Sequence, residues 1–410
     1  MRAAALSIHT APWVVPVSRP PIADGGVAVA DGRIVAVDEA RALTERFPGI
    51  AKSAHPGSAL TPALVNAHTH LELSHLAGLT DEPYPGSFTG WISRLLEWRD
   101  RLGATGEAAE TAAGRVLVEQ YAGGVSAIGD IGNTRLGRAL TARFPGTLLP
   151  FREYLGLAAW TVEKNLERLA LEGDEALCTG HAPYSTHPRL LQQLKARAGR
   201  LGHPFPIHLA EPAAEQEMLG RGTGELVEFV RARGFWDGSF QPSASGDGGS
   251  VRYLDALGLL DERTLCVHVI HVDADEIRLL ADRGVKVCLC PGSNRLLRTG
   301  RAPVAALVAA GILPALGTDS LASNPHLSLW REMQLLSEDH PGIDPATIFA
   351  MATRGGAEAL GLGDRYGVLE PGRQADLLAV PLPPTAATAA AVHAHLVTAG
   401  DAAAPVRIPS

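Results

Sequence analysis

Between about residues 61 and 365 the chain alternates short apolar runs with polar stretches at helical spacing. Eight apolar runs recur, at 63–70, 124–130, 147–154, 176–181, 205–211, 264–271, 285–291 and 312–319. Helix-like segments at 92–102, 189–198, 275–283 and 303–310 separate several of them. Continuous apolar strands alternating with helices predict a parallel sheet covered on both faces. Eight such strands in about 300 residues predict a closed (β/α)8 TIM barrel, although an open doubly wound sheet has the same periodicity. The ends of the chain read differently. Asp24-Gly25-Gly26 and Asp31-Gly32 are turn signals flanked by Val27, Val29, Ile34, Val35 and Val37. Residues 367–380 repeat that turn-then-strand style. The predicted class is therefore α/β: residues 1–60 plus 366–410 forming a small β-sandwich domain, and 61–365 forming the inserted barrel. Residues 238–250 read as a Gly/Ser-rich loop projecting from it, and the Ala-, Pro- and Thr-rich tail after Pro381 as partly disordered.

Composition narrows the class of function. Of 410 residues, 46% are hydrophobic and 20% charged, as in an ordinary globular protein with a large core. A net charge of −8 leaves no basic footprint for nucleic acid. The four cysteines, Cys178, Cys266, Cys288 and Cys290, sit in apolar runs without CxxC spacing, which predicts a reduced, cytoplasmic protein. The first 17 residues are broken by His9, Pro12 and Pro16 and do not read as a signal peptide. No run approaches the ~18 apolar residues of a membrane helix. The expected partner is a small molecule, with no nucleic acid and no membrane; a homo-oligomer is allowed.

The chemistry lies where the apolar runs stop. They end in His68 and His70, Asp130, Glu153, His181, His208 and Glu211, His268 and His271, and Asp319. In a TIM barrel those strand ends form the active-site face, and buried ionisable groups are costly without partners or a metal. His68 and His70 form a His-x-His pair, which a strand points to one face, so two imidazoles can share an ion. His208 with Glu211 pairs a ligand with a carboxylate that can stand beside an activated water. Asp319 offers a carboxylate ligand, although alone it would also suit a helix N-cap. His268 and His271 lie three apart, so only one of them is expected to serve the site. His181 points toward the same rim, whereas His9, His55, His187 and His203 read as structural.

Together these motifs resemble the amidohydrolase superfamily, in its branch of amino-purine, cytosine and triazine deaminases and chlorohydrolases. The resemblance spans nearly the whole chain. It rests on Asn66-Ala67-His68-Thr69-His70, His208-Leu209-Ala210-Glu211, Val267-His268, Cys290-Pro291-Gly292-Ser293-Asn294, Gly317-Thr318-Asp319 and the Gly-x-Leu-x-x-Gly-x-x-Ala-Asp-Leu pattern ending at Leu377. It implies that His68, His70, His208 and Asp319 ligate one divalent ion, with Glu211 as proton shuttle. It also implies that Asp319 and His268 position the attacking water, and that His181 touches substrate. No lysine stands near the end of the fourth run, so the centre is expected to be mononuclear. Three His and one Asp suit Zn2+, although Fe2+ or Mn2+ are accepted by the same donors.

Substrate identity rests on finer similarity. His70-Leu71-Glu72-Leu73-Ser74 and Ser87-Phe88-Thr89-Gly90-Trp91-Ile92 are similar to aminodeoxyfutalosine deaminases of the futalosine route to menaquinone. The expected reaction replaces the 6-amino group of an adenine-type nucleoside by oxo, with release of ammonia. Thr89 and Gly90 replace two acids that adenosylhomocysteine and methylthioadenosine deaminases carry in this segment to hold ribose. Glu72, Trp91, Ser293 and Asn294 are pocket candidates, and Arg94, Arg152 or Arg295 are candidates to pair with a substrate carboxylate. The alternatives are an adenosylhomocysteine, methylthioadenosine, guanine or cytosine deaminase, a chlorohydrolase, or a barrel that binds metal and ligand without catalysis.

Overall fold

The computed structural model describes residues 6–239 and 249–409, so the first five residues and most of the Gly/Ser-rich loop lie outside the described residues. The fold is α/β. The eight barrel strands are Leu64–Thr69, Val125–Gly132, Thr147–Tyr154, Cys178–Gly180, Phe205–Leu209, Thr264–His268, Lys286–Leu289 and Ala315–Leu316. The first four pair in parallel, as do the last four. Backbone bonds at the strand ends join the two half-sheets. His208 N donates to His181 O at 2.9 Å, and Thr318 N and Asp319 N both donate to His68 O at 3.0 and 3.1 Å. The first, fifth and sixth strands are buried along their length because helices cover the outside, which is why they read as unbroken apolar runs.

The helical run at 345–359, with one π turn, packs against the first and eighth strands. Gly355 and Gly356 permit that approach: a Cβ there would stand 2.4 Å from Pro314 O and 2.6 Å from Val65 O.

Strands from both chain ends share one seven-stranded sheet. Its order is Val406–Ile408, Leu377–Pro381, Ser58–Pro62, Ser7–Val14, Ile22–Ala30 and Arg33–Glu39, with Lys52–Ala54 beside Ser7–Val14. The Asp31-Gly32 signal is a two-residue hairpin turn with both residues at positive φ (51° and 69°).

The expectation of a partly disordered tail is corrected. Residues Ala389–Thr398 form a helix capped by the Thr388 hydroxyl, and Val406–Ile408 pairs antiparallel with the strand at Leu377. The alanines that made the tail look low in complexity favour helix most strongly, while Val392, Leu396 and Val397 supply a fully buried face. All four cysteines are buried and free. No helix among the described residues is long and apolar enough to cross a membrane.

Candidate active site

His68 and His70 end the first barrel strand, His208 lies near the end of the fifth, and Asp319 follows the eighth. One ring nitrogen of each of the three histidines lies within 4.8 Å of the others. His70 Nδ1 stands 3.0 Å from Ile131 O and His208 Nδ1 2.9 Å from His181 O. A carbonyl can only accept, so both Nδ1 atoms carry the proton and both Nε2 atoms present lone pairs. Those lone pairs face each other at 3.3 Å. His68 is fully buried, and neither of its nitrogens has a hydrogen-bond partner. Asp319 Oδ1 completes the cluster at 3.5 Å from His70 Nε2 and 3.8 Å from His68 Nε2. Opposed lone pairs and orphaned nitrogens beside a carboxylate are unfavourable unless a cation lies among them. Donor separations of 3.3–3.8 Å match the edges of about 3.3–3.5 Å expected for a tetrahedral ion bound at 2.0–2.1 Å. The residues fit one divalent metal ion.

Electrostatics agree. Burial lowers His68 and His208 well below the ordinary imidazole value, keeping both neutral. Burial alone would raise Asp319, but the imidazoles of His70, His68 and His268 and the Ser293 hydroxyl outweigh it and hold the carboxyl at about 2. Ser293 Oγ and Ser323 Oγ donate to Asp319 Oδ2 at 2.6 and 2.9 Å, leaving Oδ1 for the cluster. Gly317 lets this strand lie against His68, since a Cβ there would be 2.8 Å from the His68 Cβ.

His268 and Glu211 stand beside the cluster. His268 Nδ1 donates to Asn294 Oδ1 at 2.9 Å, so the Nε2 lone pair remains available, buried and unpartnered. It lies 3.7 Å from Glu211 Oε1. Burial, then the negative charges of Asp319 and Glu215, push Glu211 well above the usual carboxylate range, as suits a group that takes and returns a proton. Glu215 accepts from Ala210 N at 2.8 Å and from Glu211 N at 3.4 Å, fixing the turn that presents Glu211. Four non-glycine residues at this rim hold positive φ: Ala210 (53°), His268 (76°), Val269 (47°) and Asp319 (56°). Such conformations cost on the order of 1–3 kcal/mol each and persist where surrounding contacts over-determine them.

A cavity of about 560 Å³ opens above the cluster and is lined by His70, His181, His208, Glu211, His268 and Asp319 among others. Glu72 and Trp91 also line it, although Glu72 is already engaged by Arg99 at 3.1 Å and Thr134 N at 2.8 Å. Ser293 and Asn294, expected in the pocket, stand behind it, committed to Asp319 and His268. His271 is turned away and bonds Thr299 O at 2.8 Å. None of the three candidate arginines lines the cavity. Arg94 pairs with Glu82, Arg295 with Glu338 and Asp339, and Arg152 lies in a separate cleft. Sequence reasoning missed Arg99 and Arg233, which do line it, and Ser323. Ser323 lies four residues after Asp319, a helix-turn spacing that carries a signal; Arg233 carries none. Glu153 reaches the cavity beside His181, and burial, then the charge of Glu72, push it up to about 8.

Residues 59–403 match the model of the amidohydrolase family. The chain is 34% identical over 385 residues to a 5-methylthioadenosine/S-adenosylhomocysteine deaminase of Nitratidesulfovibrio vulgaris, covering 89% of this chain and 80% of that protein. It is 32% identical over 351 residues to an aminodeoxyfutalosine deaminase of Deinococcus radiodurans, covering 82% and 81%. The crystal structure of Helicobacter pylori aminofutalosine deaminase in complex with methylthio-coformycin superposes with a TM-score of 0.79 at 25% identity, covering 95% of this chain and 96% of that one.

Proposed function

The chain belongs to the amidohydrolase family, and on that premise we propose that it is a hydrolytic deaminase of a 5′-substituted adenine nucleoside, with aminodeoxyfutalosine as its substrate in the futalosine route to menaquinone. The observation that carries the chemistry is the opposed pair of lone pairs on His70 and His208, beside the unpartnered nitrogens of His68 and the ionised Asp319. His68, His70, His208 and Asp319 would hold one divalent ion, with zinc the best match to three imidazoles and a carboxylate. When bound, such an ion supplies Lewis acidity that brings the pKa of a water toward neutrality.

The remaining steps belong to the protein. His268 Nε2 accepts a hydrogen bond from the attacking water and aims it at purine C6. Glu211 takes the water's proton and delivers it to ring N1, so that C6 becomes tetrahedral. The second proton, from the new C6 hydroxyl, then passes through Glu211 to the amino group, the C–N bond breaks, ammonia leaves, and the 6-oxo purine remains.

The outer cavity supports the choice of substituent. Leu155, Trp160, Phe229 and Phe235 give it an apolar and partly aromatic mouth, with Arg233 at its edge. Among the described lining residues the carboxylates are Glu72, which Arg99 holds, and Glu153, Glu211 and Asp319, which are buried beside the cluster, so none stands exposed at the mouth. That setting suits an aromatic acid better than the zwitterionic end of adenosylhomocysteine, whose ammonium group would need an anionic partner. Ammonia release from aminodeoxyfutalosine, 5′-methylthioadenosine, adenosylhomocysteine, adenosine, guanine and cytosine tests both levels. The highest kcat/KM is expected on aminodeoxyfutalosine. Faster turnover of adenosylhomocysteine contradicts the substrate assignment, and no ammonia from any adenine nucleoside contradicts the deaminase reading.

A further inference from the structure

Glu153, at the end of the third barrel strand, is a cavity carboxylate that the chemistry above does not use. Its side chain is 4% exposed. Oε2 accepts from Asn133 Nδ2 at 2.7 Å, and Asn133 is itself held by Arg99 at 3.1 Å, so the carboxylate has a fixed orientation. Oε1 is buried and has no hydrogen-bond partner. An unsatisfied buried acceptor is costly, and a ligand that supplies a donor removes the cost.

Beside it stands a second polar group, His181. His181 Nδ1 lies 2.6 Å from the Ser185 hydroxyl, which also lies 3.2 Å from Ala182 O, so His181 Nε2 is the ring nitrogen left for a ligand. A Glu153 oxygen, a His181 ring nitrogen and a His208 ring nitrogen lie within 4.8 Å of one another. This trio is not a second metal site. His208 Nδ1 is a donor to His181 O and its Nε2 belongs to the first cluster, so His208 has no lone pair left for another ion.

What remains is an unpartnered acceptor on the third strand with a ring nitrogen beside it on the fourth, while the groups that act on C6 come from the first, fifth, sixth and eighth. In an adenine nucleoside whose amino group is engaged at C6, ring nitrogens N1, N3 and N7 are acceptors. The donors left on the nucleoside core are the sugar hydroxyls. We propose that Glu153, with His181 beside it, recognises the vicinal 2′,3′-diol of the substrate and is a specificity-determining residue for ribonucleosides.

This inference rests on the nucleoside reading, and one experiment separates the two. On the nucleoside turned over fastest, kcat/KM is compared with that of its 2′-deoxy and 3′-deoxy forms, in the wild type and in Glu153→Gln, with metal content and Tm recorded. At a pH above 8, where Glu153 is ionised, the wild type should favour the ribonucleoside by about tenfold to a hundredfold, the range for a hydrogen bond to a charged group. Glu153→Gln should lose most of that ratio through a raised KM for the ribonucleoside, with metal content retained. A wild type indifferent to the deoxy forms overturns the inference without any variant. A folded, metal-loaded Glu153→Gln that keeps the full ratio overturns it as well, leaving the deaminase reading intact. A wild type inactive on every nucleoside overturns both.

Discussion

At the scale of single residues, the site is built from which nitrogen of each ring holds its proton. Carbonyls fix His70 and His208, and Asn294 fixes His268. Ser293 and Ser323 do the same for Asp319, tying up Oδ2 so that Oδ1 meets the imidazoles. Groups of this kind commonly change metal affinity or activity about 10–100-fold when removed. Ser293→Ala is therefore expected to weaken metal binding about tenfold in competition with a chelator, with Tm little changed; affinity equal to wild type would assign the Asp319 orientation to Ser323 alone. The meeting of His68, His70, His208 and Asp319 was readable because His and Asp are conspicuous at the ends of apolar runs. The places of Ser293 and Asn294 were not readable, since nothing in their spacing tells whether a side chain faces the cavity or the residue behind it.

At the scale of elements, the period of two gives the direction of side chains only while the strand lasts. His208 and Glu211 are three apart, which on a continuing strand would send them to opposite faces. The strand stops at Leu209, Ala210 adopts φ 53°, and Glu211 lines the same cavity as His208. Eight strands were legible as runs, but their ends were read too long by one to three residues in several cases, because the rim loops are as apolar as the strands. Buried carboxylates staple these ends in place: Asp130 to Leu71 N, Glu215 to Ala210 N and Glu332 to Gly292 N. Burial pushes Asp130 and Glu215 up to about 7 and Glu332 to about 8. Each holds a proton in the folded state that the unfolded chain releases near the ordinary carboxylate value, so each removes stability as pH rises from about 4.5 through 7 to 8. The buried neutral histidines His68, His181, His208 and His268 act oppositely, costing stability as pH falls below 6.5. The two effects offset each other between about pH 4.5 and 6.5, and above that window only the carboxylate effect remains. The Tm of metal-stripped protein should fall by on the order of 5 °C between pH 6.5 and 8.5. A Tm that rises over that interval would contradict these assignments.

At the scale of the whole molecule, closing the barrel is what assembles the site. The bonds that join the half-sheets run through His68 O, Thr318 N and Asp319 N at one seam, and through His181 O and His208 N at the other. The seams and the metal cluster therefore use the same residues, and groups 250 positions apart in sequence meet only if the sheet closes. Alternation of strands and helices made the barrel legible. The sheet shared by the chain ends was legible because Asp31-Gly32 and the run at 367–380 carry turn signals. The tail was misread because alanine-rich composition resembles low complexity until a buried Val and Leu face is seen. The central claim is that one ion, held by three imidazoles and Asp319, works with Glu211 as the group that moves protons. Metal content and turnover measured together on wild type and Glu211→Gln test it most directly. The account predicts one divalent ion per chain in both proteins and turnover reduced about 10²–10⁴-fold in the variant; near-normal turnover in Glu211→Gln, or an active wild type that holds no metal, would contradict it.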